Sequence, residues 1–388
     1  MLFLDSKLEY TFSVFDKQLA GAVFFDFTDA FESVNRDHLL LKIGRDFGIR
    51  PTGRIFLHIA SFLKSRLARI KFSDKIGEWL ESNCGTSAGT SLRPLLFIMH
   101  LHDIPKCVMP KFAGDLVALA TGKDVDVVTK SLQSAVDELL LWSGKEGMQV
   151  NTDKTKVMLF GDMVYDLKVT VNGMSLENVR SFKYLGVQLD PELNFTMQVD
   201  YAVAKAKRAS AKVCSLIKDR KGISVSLAVQ LYKSLVRPHM EYVIPVWASL
   251  SDNDVKKLEN TQLQCLRKYA GSKAHSSSAA VEVICNVPPF RVRKRELCCR
   301  EFIRLKVKEQ DDLLHKLLES SVRVALRFCP LMYIRIMSKQ LEREMSGCQL
   351  VAPCNTPAFN VVDSRLFINV TAAAVMVLLV VYWCYCVY

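Results

Sequence analysis

The sequence lacks most of the short motifs that would assign a metal or redox function. Its 12 cysteines contain no CxxC pair and no set with zinc-finger spacing, and its seven histidines form no HExxH. These absences exclude the common zinc sites and favour free thiols in a reducing compartment. His100, His102 and Asp103 could be metal ligands, but we interpret them as ordinary residues at the end of a helix. The N-terminus has too short an apolar core for a signal peptide.

The charge balance is basic, and one long run carries no charge. The formal net charge of +12 and the pI of about 9.1 favour polyanionic partners, with nucleic acid first and an anionic membrane second. A solvated basic surface is the alternative. Residues 366–388 are 23 uncharged residues, and about 20 apolar residues span a bilayer. This run predicts a C-terminal membrane anchor, with a buried helix or strand, or an unrelated extension, as alternatives.

Hydrophobic patterning predicts a mixed α/β layer in the first half of the chain. Residues 21–27 (GAVFFDF) are typical of a buried strand, and a helix is expected to follow, with Thr28 as its N-cap. Residues 112–120 (FAGDLVALA) predict a buried hairpin, and residues 125–147 predict an amphipathic helix. The order of strand, two helices, hairpin, helix and strand suits an antiparallel sheet with helices, close to the split βαβ pattern.

Two aspartates stand in these apolar strands. Asp26 ends the first strand and Asp115 interrupts the hairpin. Strands from distant parts of a chain can bring two carboxylates together, where they repel one another unless a cation joins them. Mg²⁺ binds one or two carboxylates together with substrate phosphates, which is the usual arrangement for nucleotidyl transfer. The spacing alone leaves open that these are two unrelated surface acids.

Five segments occur in the order of the reverse transcriptase motifs of non-LTR (LINE-like) retrotransposons. FFDFTDAFESV resembles the first palm motif, GTSAGTSLRPLLFIMHLHDIP the second, FAGDLVAL the third and VNTDKTKVMLF the fourth. SFKYLGVQLD resembles the primer-gripping hairpin. LYKSLVRPHMEYVIPVW and LENTQLQCLRKYAG are similar to the helical thumb. The resemblance covers residues 15–310 and implies a right-hand polymerase.

The resemblance implies roles for individual residues. Asp26 and Asp115 would be catalytic and would bind Mg²⁺, and Lys154 would protonate the leaving pyrophosphate. Deoxynucleoside triphosphates would be substrates, with RNA or an RNA–DNA duplex as partner. Phe31 would be the aromatic residue that closes over the sugar. Gly85 and Gly89 would be the two glycines that let the backbone approach template and nucleotide.

The sequence departs from the family's motifs at several positions. Gly114 stands where the third motif has the first of two aspartates, so only Asp115 remains. Losing this carboxylate should weaken metal binding and misplace the attacking oxygen. In the second motif, Arg93 replaces a glycine and should crowd the loop, and Ser87–Ala88 replace Pro-Gln. In the first motif, Glu32 replaces an aspartate, which is a mild change. Few residues precede the first motif, so we expect a truncated, decayed copy with impaired catalysis.

A basic segment lies in the thumb-like region. Residues 201–221 hold seven Lys or Arg and one acid, so several cations share a helical face and could follow phosphates. A solvated face is the alternative. RVRKR at residues 291–295 could contribute, or act as a weak nuclear-import signal. The residues predicted to contact nucleic acid are Lys205, Lys207, Arg208 and Lys212.

We therefore expect an α/β (α+β) fold, namely a polymerase palm with an antiparallel sheet plus a helical thumb. The expected division is a palm with a remnant of fingers over 1–190, a thumb over 191–271, a basic helical region over 272–345 and an extension over 346–388. The expected function is that of a reverse transcriptase-like protein. The alternatives are a non-catalytic nucleic-acid-binding protein and a membrane-anchored relic. No protein partner is predicted, and the location would be nuclear, cytoplasmic or membrane-bound.

Overall fold

The computed structural model describes residues 19–64, 66–112, 114–161, 165–219, 223–248 and 250–307. These residues form two compact units. One comprises residues 19–159 with 165–179, and the other comprises 160–161 with 180–307, as far as the structure describes them. The uncharged run at 366–388 lies outside the described residues.

The first unit is a mixed α/β unit with a central sheet of five strands. The strands of the sheet are β1 (Leu19–Phe25), β7 (Val108–Phe112), β8 (Asp115–Gly122), β10 (Lys156–Phe160) and β13 (Glu177–Asn178). The strand order is β13–β10–β1–β8–β7, and β1 pairs antiparallel with β8, which also pairs antiparallel with β7. The shorter strands are β2 (Phe27–Thr28), β3 (Arg66–Ala68), β4 (Lys71–Phe72), β5 (Lys75–Ile76), β6 (Leu80–Ser82), β9 (Gln149–Val150), β11 (Thr170–Val171) and β12 (Met174–Ser175). The helices are α1 (Arg36–Asp46), α2 (Arg54–Leu63), α3 (Leu92–His100) and α4 (Val125–Glu146).

Helix α4 covers the sheet at close range. Its apolar positions recur every three or four residues, so Val128, Leu132 and Val136 share the buried face. A Cβ added to Gly21 of β1 would lie 2.7 Å from a Val128 methyl carbon and 2.9 Å from a Leu132 methyl carbon. The glycine therefore lets the helix approach the strand, and the long helix predicted from periodicity is confirmed.

The predicted start of the first helix is wrong. Thr28 belongs to β2, and residues 29–34 form tight turns in which the Glu32 and Ser33 N–H groups donate to the Asp29 carbonyl. Helix α1 begins at Arg36 because the Asn35 side chain accepts hydrogen bonds from the N–H groups of Asp37 and His38. Local side-chain capping thus outcompetes the apolar periodicity upstream.

A buried ionic network lies beneath α1. The Lys42 ammonium contacts Asp103 at 2.6 Å and Glu146 at 3.1 Å, and it donates to the His100 carbonyl at 2.9 Å. Trp142 Nε1 donates to the same Asp103 carboxylate at 3.0 Å. Burial works to raise the pKa of Asp103, but these donors outweigh it and lower that pKa. His100 lies at the end of a helix, as expected, and its ring is fully buried.

The second unit is mostly helical. A small hairpin of β14 (Phe182–Tyr184) and β15 (Val187–Leu189) precedes its helices. The helices are α5 (Thr196–Asp219), α6 (Val225–Leu231), α7 (Arg237–Glu241), α8 (Asp252–Tyr269), α9 (Ser278–Cys285) and α10 (Phe290–Val307), with a π-helical segment at Tyr232–Val236. Tyr232 and Trp247 are among its largest fully buried side chains. The predicted fold class, a mixed palm followed by helical thumb elements, is confirmed.

Among the helices that the structure describes, none is both long and apolar enough to cross a membrane. The predicted anchor at 366–388 lies outside that part of the chain.

Candidate active site

Two aspartates that are far apart in sequence lie at the same end of two paired strands. The antiparallel register of β1 and β8 pairs Phe25 with Leu116, and Asp26 follows Phe25 while Asp115 precedes Leu116, so both lie at the same end of these strands, close enough for the charge of Asp26 to act on Asp115. The fold therefore brings together the two carboxylates that the sequence singled out.

The negative charge of Asp26 acts on the Asp115 carboxylate. Asp115 keeps a solvent-exposed surface, yet surrounding protein atoms partly desolvate its carboxylate. Burial first, and the neighbouring negative charge of Asp26 second, raise the pKa of Asp115. One Asp26 oxygen, Oδ2, is buried and has no hydrogen-bond partner among the described residues. This arrangement favours a bound cation.

The third predicted catalytic residue, Lys154, also lies at this end of the sheet. Its Nζ is 3.4 Å from Asp26 Oδ2, a distance that makes an ion pair without hydrogen-bond geometry. The Lys154 side chain is 70% exposed, so the ammonium can leave Asp26 at little cost. Sequence reasoning missed Asn151 and Thr155, which hold the backbone of Asp26 in place. The Asn151 N–H donates to the Asp26 carbonyl at 2.8 Å, and the Asp26 N–H donates to Thr155 Oγ1 at 3.4 Å.

Gly114 lies in the turn between β7 and β8, next to Asp115. A Cβ built on Gly114 would meet the Ala30 Cβ at 3.6 Å, which is ordinary van der Waals contact, and its backbone is outside the left-handed region. A side chain at this position is therefore tolerated. Because Ala30 precedes Phe31, the same contact brings the hairpin beside the loop of the first motif.

The second-motif loop docks on the first-motif loop through backbone hydrogen bonds. The Gly85 N–H donates to the Val34 carbonyl at 2.8 Å, and the Thr86 N–H donates to the Phe31 carbonyl at 2.9 Å. Gly85 and Gly89 both adopt left-handed backbone conformations, with φ of +77° and +75°. The structure thus brings Phe31 and Gly85 together, while Gly89 has no atom within 4 Å of an added Cβ.

Sequence reasoning missed Arg36, which holds this loop. Its guanidinium donates to the carbonyl oxygens of Ser82, Cys84 and Gly85, with distances of 2.7 Å for Cys84 and 2.8 Å for Gly85. Burial lowers the pKa of Arg36. Only its position in the first turn of a helix marks Arg36 in the sequence, and that signal does not indicate carbonyl binding 49 residues away.

Arg93 covers the aromatic residue of the first motif. The Phe31 ring stacks on the Phe97 ring, with ring centroids 4.2 Å apart. The Arg93 guanidinium carbon lies 4.6 Å from the Phe31 ring centroid. Arg93 also forms a salt bridge with Glu32. The sequence predicts that this cation crowds the loop. In the structure, the Arg93 guanidinium packs on the Phe31 ring and pairs with the Glu32 carboxylate.

The donor set suits a hard divalent cation. Carboxylate oxygens are preferred ligands of Mg²⁺, which commonly takes one or two of them and completes its octahedron with water and phosphate. Asp26 and Asp115 provide such a pair, and the buried, unbonded oxygen of Asp26 fits a ligand role. Within the described part of the chain, no group of three or more His, Cys, Asp or Glu side chains could hold a metal.

The four predicted nucleic-acid contacts lie on one helix of the second unit. On α5, Ala202, Ala206 and Val213 form the buried face. Lys207, Arg208 and Lys212 are exposed and Lys205 is half-buried. The amphipathic spacing thus directs the cations away from the core of that unit.

Comparisons with known proteins give one family and several distant relatives. Residues 11–189 match the family described as reverse transcriptase (RNA-dependent DNA polymerase). The RNA-directed DNA polymerase from mobile element jockey of Drosophila melanogaster is 23% identical over 304 residues, which cover 75% of this chain and 33% of the relative. The jockey polymerase of Drosophila funebris is 26% identical over 301 residues, covering 74% and 32%.

The chain spans about a third of the length of these curated relatives. Among solved structures, apo telomerase from Candida tropicalis is similar with a TM-score of 0.37 and 12% identity, covering 89% of this chain and 54% of that one.

Proposed function

Because this chain belongs to the reverse transcriptase family through residues 11–189 and is a relative of non-LTR retrotransposon polymerases, we propose that it is an RNA-directed DNA polymerase fold with impaired catalysis that retains nucleic-acid binding. The palm would extend to residue 190 and the thumb over residues 191–271. One observation carries the proposal, namely the neighbouring carboxylates of Asp26 and Asp115 next to a glycine where the family has another acid.

The proposed catalytic role of the pair is to hold Mg²⁺ against a deoxynucleoside triphosphate. When bound, the metal would activate the attacking oxygen and stabilise charge on the phosphorus centre. Asp26 and Asp115 would bind it, and Lys154, which is exposed and close to Asp26, would donate a proton to the leaving pyrophosphate. With Gly114 beside them, these two acids must hold the cation without a third carboxylate.

Arg93 gives a second reason for impaired catalysis. Phe31 is the residue proposed to contact the nucleotide sugar, and the guanidinium of Arg93 lies over its ring. A nucleotide that used that face of the ring would have to displace Arg93 from both Phe31 and Glu32. Binding would then be weakened by the energy of those contacts, on the order of 1–2 kcal/mol for a partly buried cation–π pair.

Nucleic-acid binding would use the basic face of α5, with Lys205, Lys207, Arg208 and Lys212 along the backbone phosphates. Such contacts give affinity without sequence readout. Each neutralised phosphate adds about 0.9 to the slope of log affinity against log salt concentration for duplex DNA. A strictly non-catalytic binding protein is the second candidate, and the exposed cations of α5 favour it independently of the carboxylate pair.

The test is primer extension on a poly(rA)–oligo(dT) hybrid with Mg²⁺ and then Mn²⁺, using the full chain. Three proteins are compared: the unaltered chain, Gly114→Asp and Gly144→Asp. Gly144 is an exposed glycine of α4 with no atom within 4 Å of an added Cβ, so its substitution adds the same carboxylate elsewhere in the unit. We expect Gly114→Asp to raise extension by about 10²-fold or more, because metal and 3′-oxygen would regain their positions.

Each result decides between the candidates. If Gly114→Asp extends primers no better than Gly144→Asp, the missing carboxylate does not explain low activity. If the unaltered chain already extends primers as fast as Gly114→Asp, catalysis is not impaired. If adding Arg93→Gly to Gly114→Asp is required for extension, the covered Phe31 ring is the second lesion. Salt-dependent binding of the hybrid without extension by any variant leaves the non-catalytic candidate.

A further inference from the structure

We propose that the first unit carries an arm through which the chain pairs with a second copy of itself. The arm comprises residues 66–82, in which β3 pairs with β6 and β4 pairs with β5. It contains none of the residues assigned to the candidate active site or to nucleic-acid binding, so the inference does not rest on the proposed function.

The arm is exposed along almost its whole length. Every residue from 67 to 81 is exposed to solvent. Both faces of the hairpin carry apolar side chains, because β3 and β6 pair Leu67 with Glu81 and, at the next position, Ala68 with Leu80. An isolated two-stranded hairpin is only marginally stable in water. The arm therefore fits a structure that is completed by a partner.

The apolar surface of the arm is of interface size. Six large side chains each expose between 52% and 80% of their surface, namely Leu67, Ile70, Phe72, Ile76, Trp79 and Leu80. Taking on the order of 100 Å² for each, they present about 600–700 Å², close to the roughly 800 Å² that one partner contributes to a standard-size interface. Exposed apolar surface of this extent is typical of an interaction site.

The base of the arm is fixed to the rest of the unit. Arg66 Nε donates to the Phe62 carbonyl at 2.7 Å, and the Arg66 guanidinium carbon lies 4.3 Å from the Phe62 ring centroid. On the other strand, the Arg36 guanidinium donates to the Ser82 carbonyl and to Ser82 Oγ, the latter at 3.1 Å. Both strands are thus held at their base, which lowers the ordering cost that association would have to overcome.

The charge of the arm favours a protein partner over a polyanion. Residues 66–82 hold four cations and three acids, a net charge of +1, whereas residues 201–221 hold seven cations and one acid. The Arg69 guanidinium carbon also lies 4.4 Å from the centroid of the exposed Trp79 ring. That cation already occupies ring surface on which a nucleic-acid base would stack. Exposed aromatic side chains and arginine without an excess of one charge are typical of contacts between protein chains.

The strand from Lys75 to Glu81 is complementary to its own copy. Among the described residues, β5 and β6 are each paired on one side only, so their outer edges are open to another strand. Two-fold symmetry requires a surface that complements itself. Antiparallel pairing centred on Glu78 would place Lys75 opposite Glu81 of the second copy. It would also place Ile76 opposite Leu80. Opposite charges and facing apolar side chains are the cross-strand pairs that stabilise a sheet.

The centre of this register combines an unfavourable contact with a favourable one. Glu78 would face its own counterpart, and like charges directly opposite one another are destabilising. Trp79 would lie opposite Gly77, whose missing side chain leaves room for the ring. Two paired arms would form a four-stranded sheet, which is stable where two strands alone are not.

The first test is sedimentation velocity of the full chain over a wide range of concentration. We expect a monomer–dimer equilibrium whose dissociation constant rises by at least about tenfold in Trp79→Ser. Leu141→Ser is the matched control, because Leu141 of α4 is 69% exposed outside the arm, and it should leave the constant unchanged. Equal weakening by both variants, a dimer that neither affects, or a chain that stays monomeric would each overturn the proposal.

The second test exchanges the two charges that the register pairs. Lys75→Glu and Glu81→Lys should each weaken the dimer by about tenfold, because each places like charges opposite one another. The double variant restores the attraction and should return the dissociation constant to within about threefold of that of the unaltered chain. Glu78→Gln should tighten the dimer, since it removes the like pair at the centre. A double variant as weak as the single ones overturns the antiparallel self-pairing.

Other occupants of the arm are distinguished by adding them. Single-stranded RNA, and vesicles of phosphatidylcholine with phosphatidylserine, are each titrated into the unaltered chain and into Trp79→Ser, and we expect the two proteins to bind them equally. If the unaltered chain is monomeric and Trp79→Ser loses binding to RNA or to vesicles, the arm binds that ligand and the second copy is excluded. Primer extension enters none of these measurements, so the arm and the proposed function are tested separately.

Discussion

Two glycines of the second-motif loop offer a matched pair of substitutions. Gly85 and Gly89 have nearly the same left-handed φ, at +77° and +75°, but different surroundings. A Cβ on Gly85 would lie 2.6 Å from the Glu32 carbonyl oxygen and 2.8 Å from the Glu32 Cα, while a Cβ on Gly89 would meet nothing within 4 Å. Gly85→Ala and Gly89→Ala therefore share the conformational cost and differ only in the clash.

The magnitudes follow from these two terms. Forcing an L-residue into the left-handed region costs about 1–2 kcal/mol, which both variants bear. The Gly85 variant must also displace backbone atoms of Glu32, and such overpacking costs roughly 1–3 kcal/mol more. We expect a loss of about 1–2 kcal/mol in the free energy of unfolding for Gly89→Ala and about 2–5 kcal/mol for Gly85→Ala.

Hydrogen–deuterium exchange locates the damage. The clash should break the bond from the Gly85 N–H to Val34 and the bond from the Thr86 N–H to Phe31. Exchange should then rise in Gly85→Ala at residues 84–91, which contain both N–H donors. Exchange should also rise at residues 29–34, because displacement of the Glu32 backbone loosens the bonds from the Glu32 and Ser33 N–H groups to the Asp29 carbonyl. Gly89→Ala should leave residues 29–34 protected. Equal exchange and equal destabilisation in the two variants would refute the claim that the Glu32 backbone sets the requirement for glycine.

Two further predictions concern the buried network. Lys42→Met should reduce the free energy of unfolding by about 3–5 kcal/mol, because Glu146 and Asp103 lose their buried cation. Arg45→Met, at an exposed ion pair, should leave the free energy of unfolding nearly unchanged. Urea unfolding of both variants measures the difference. Burial, with Lys42 second, lowers the pKa of His100 from 6.5 to about 4. Between these values the unfolded chain binds a proton that the folded chain does not, so acidification from pH 6.5 to pH 4 should cost about 3 kcal/mol of stability. His100→Leu should remove this dependence, and an equally steep loss of stability in that variant would contradict it.

The elements that the sequence predicts well are those whose signal is periodic. Helix α4 follows from the recurrence of Val128, Leu132 and Val136, which needs no knowledge of the partner surface. The start of α1 does not follow, because Thr28 and Asn35 are both acceptable caps in isolation. The choice depends on Thr28 pairing with Gln149 in a short sheet, a contact 121 residues away in sequence.

The residues of the candidate site likewise divide into those that the sequence indicates and those that it does not. Asp26 and Asp115 stand out as acids in apolar runs, and the pairing of Phe25 with Leu116 then brings them to the same end of β1 and β8. Arg36 does not stand out, since an arginine in the first turn of a helix is ordinary and its carbonyl partners lie in a loop that has no pattern of its own. The contact of Arg93 with Phe31 and Glu32 is likewise invisible in sequence, because it joins residues about 60 positions apart.

Under the proposed function, two departures from the family's motifs, one beside Asp115 and one on the loop of Phe31, change the charge of the candidate site in the same direction. Gly114 removes one negative charge where the family has an aspartate, and Arg93 adds one positive charge where the family has a glycine. Glu32 offsets part of the second change through its salt bridge with Arg93. Under the proposed function, we expect the attraction of the site for a divalent cation to fall through both positions, and nucleotide binding to fall as well because Arg93 covers the Phe31 ring. The proposed impairment of metal and nucleotide binding is separable from a loss of folding, because the carboxylate pair, the turn at Asn151 and the docked loops all remain in place.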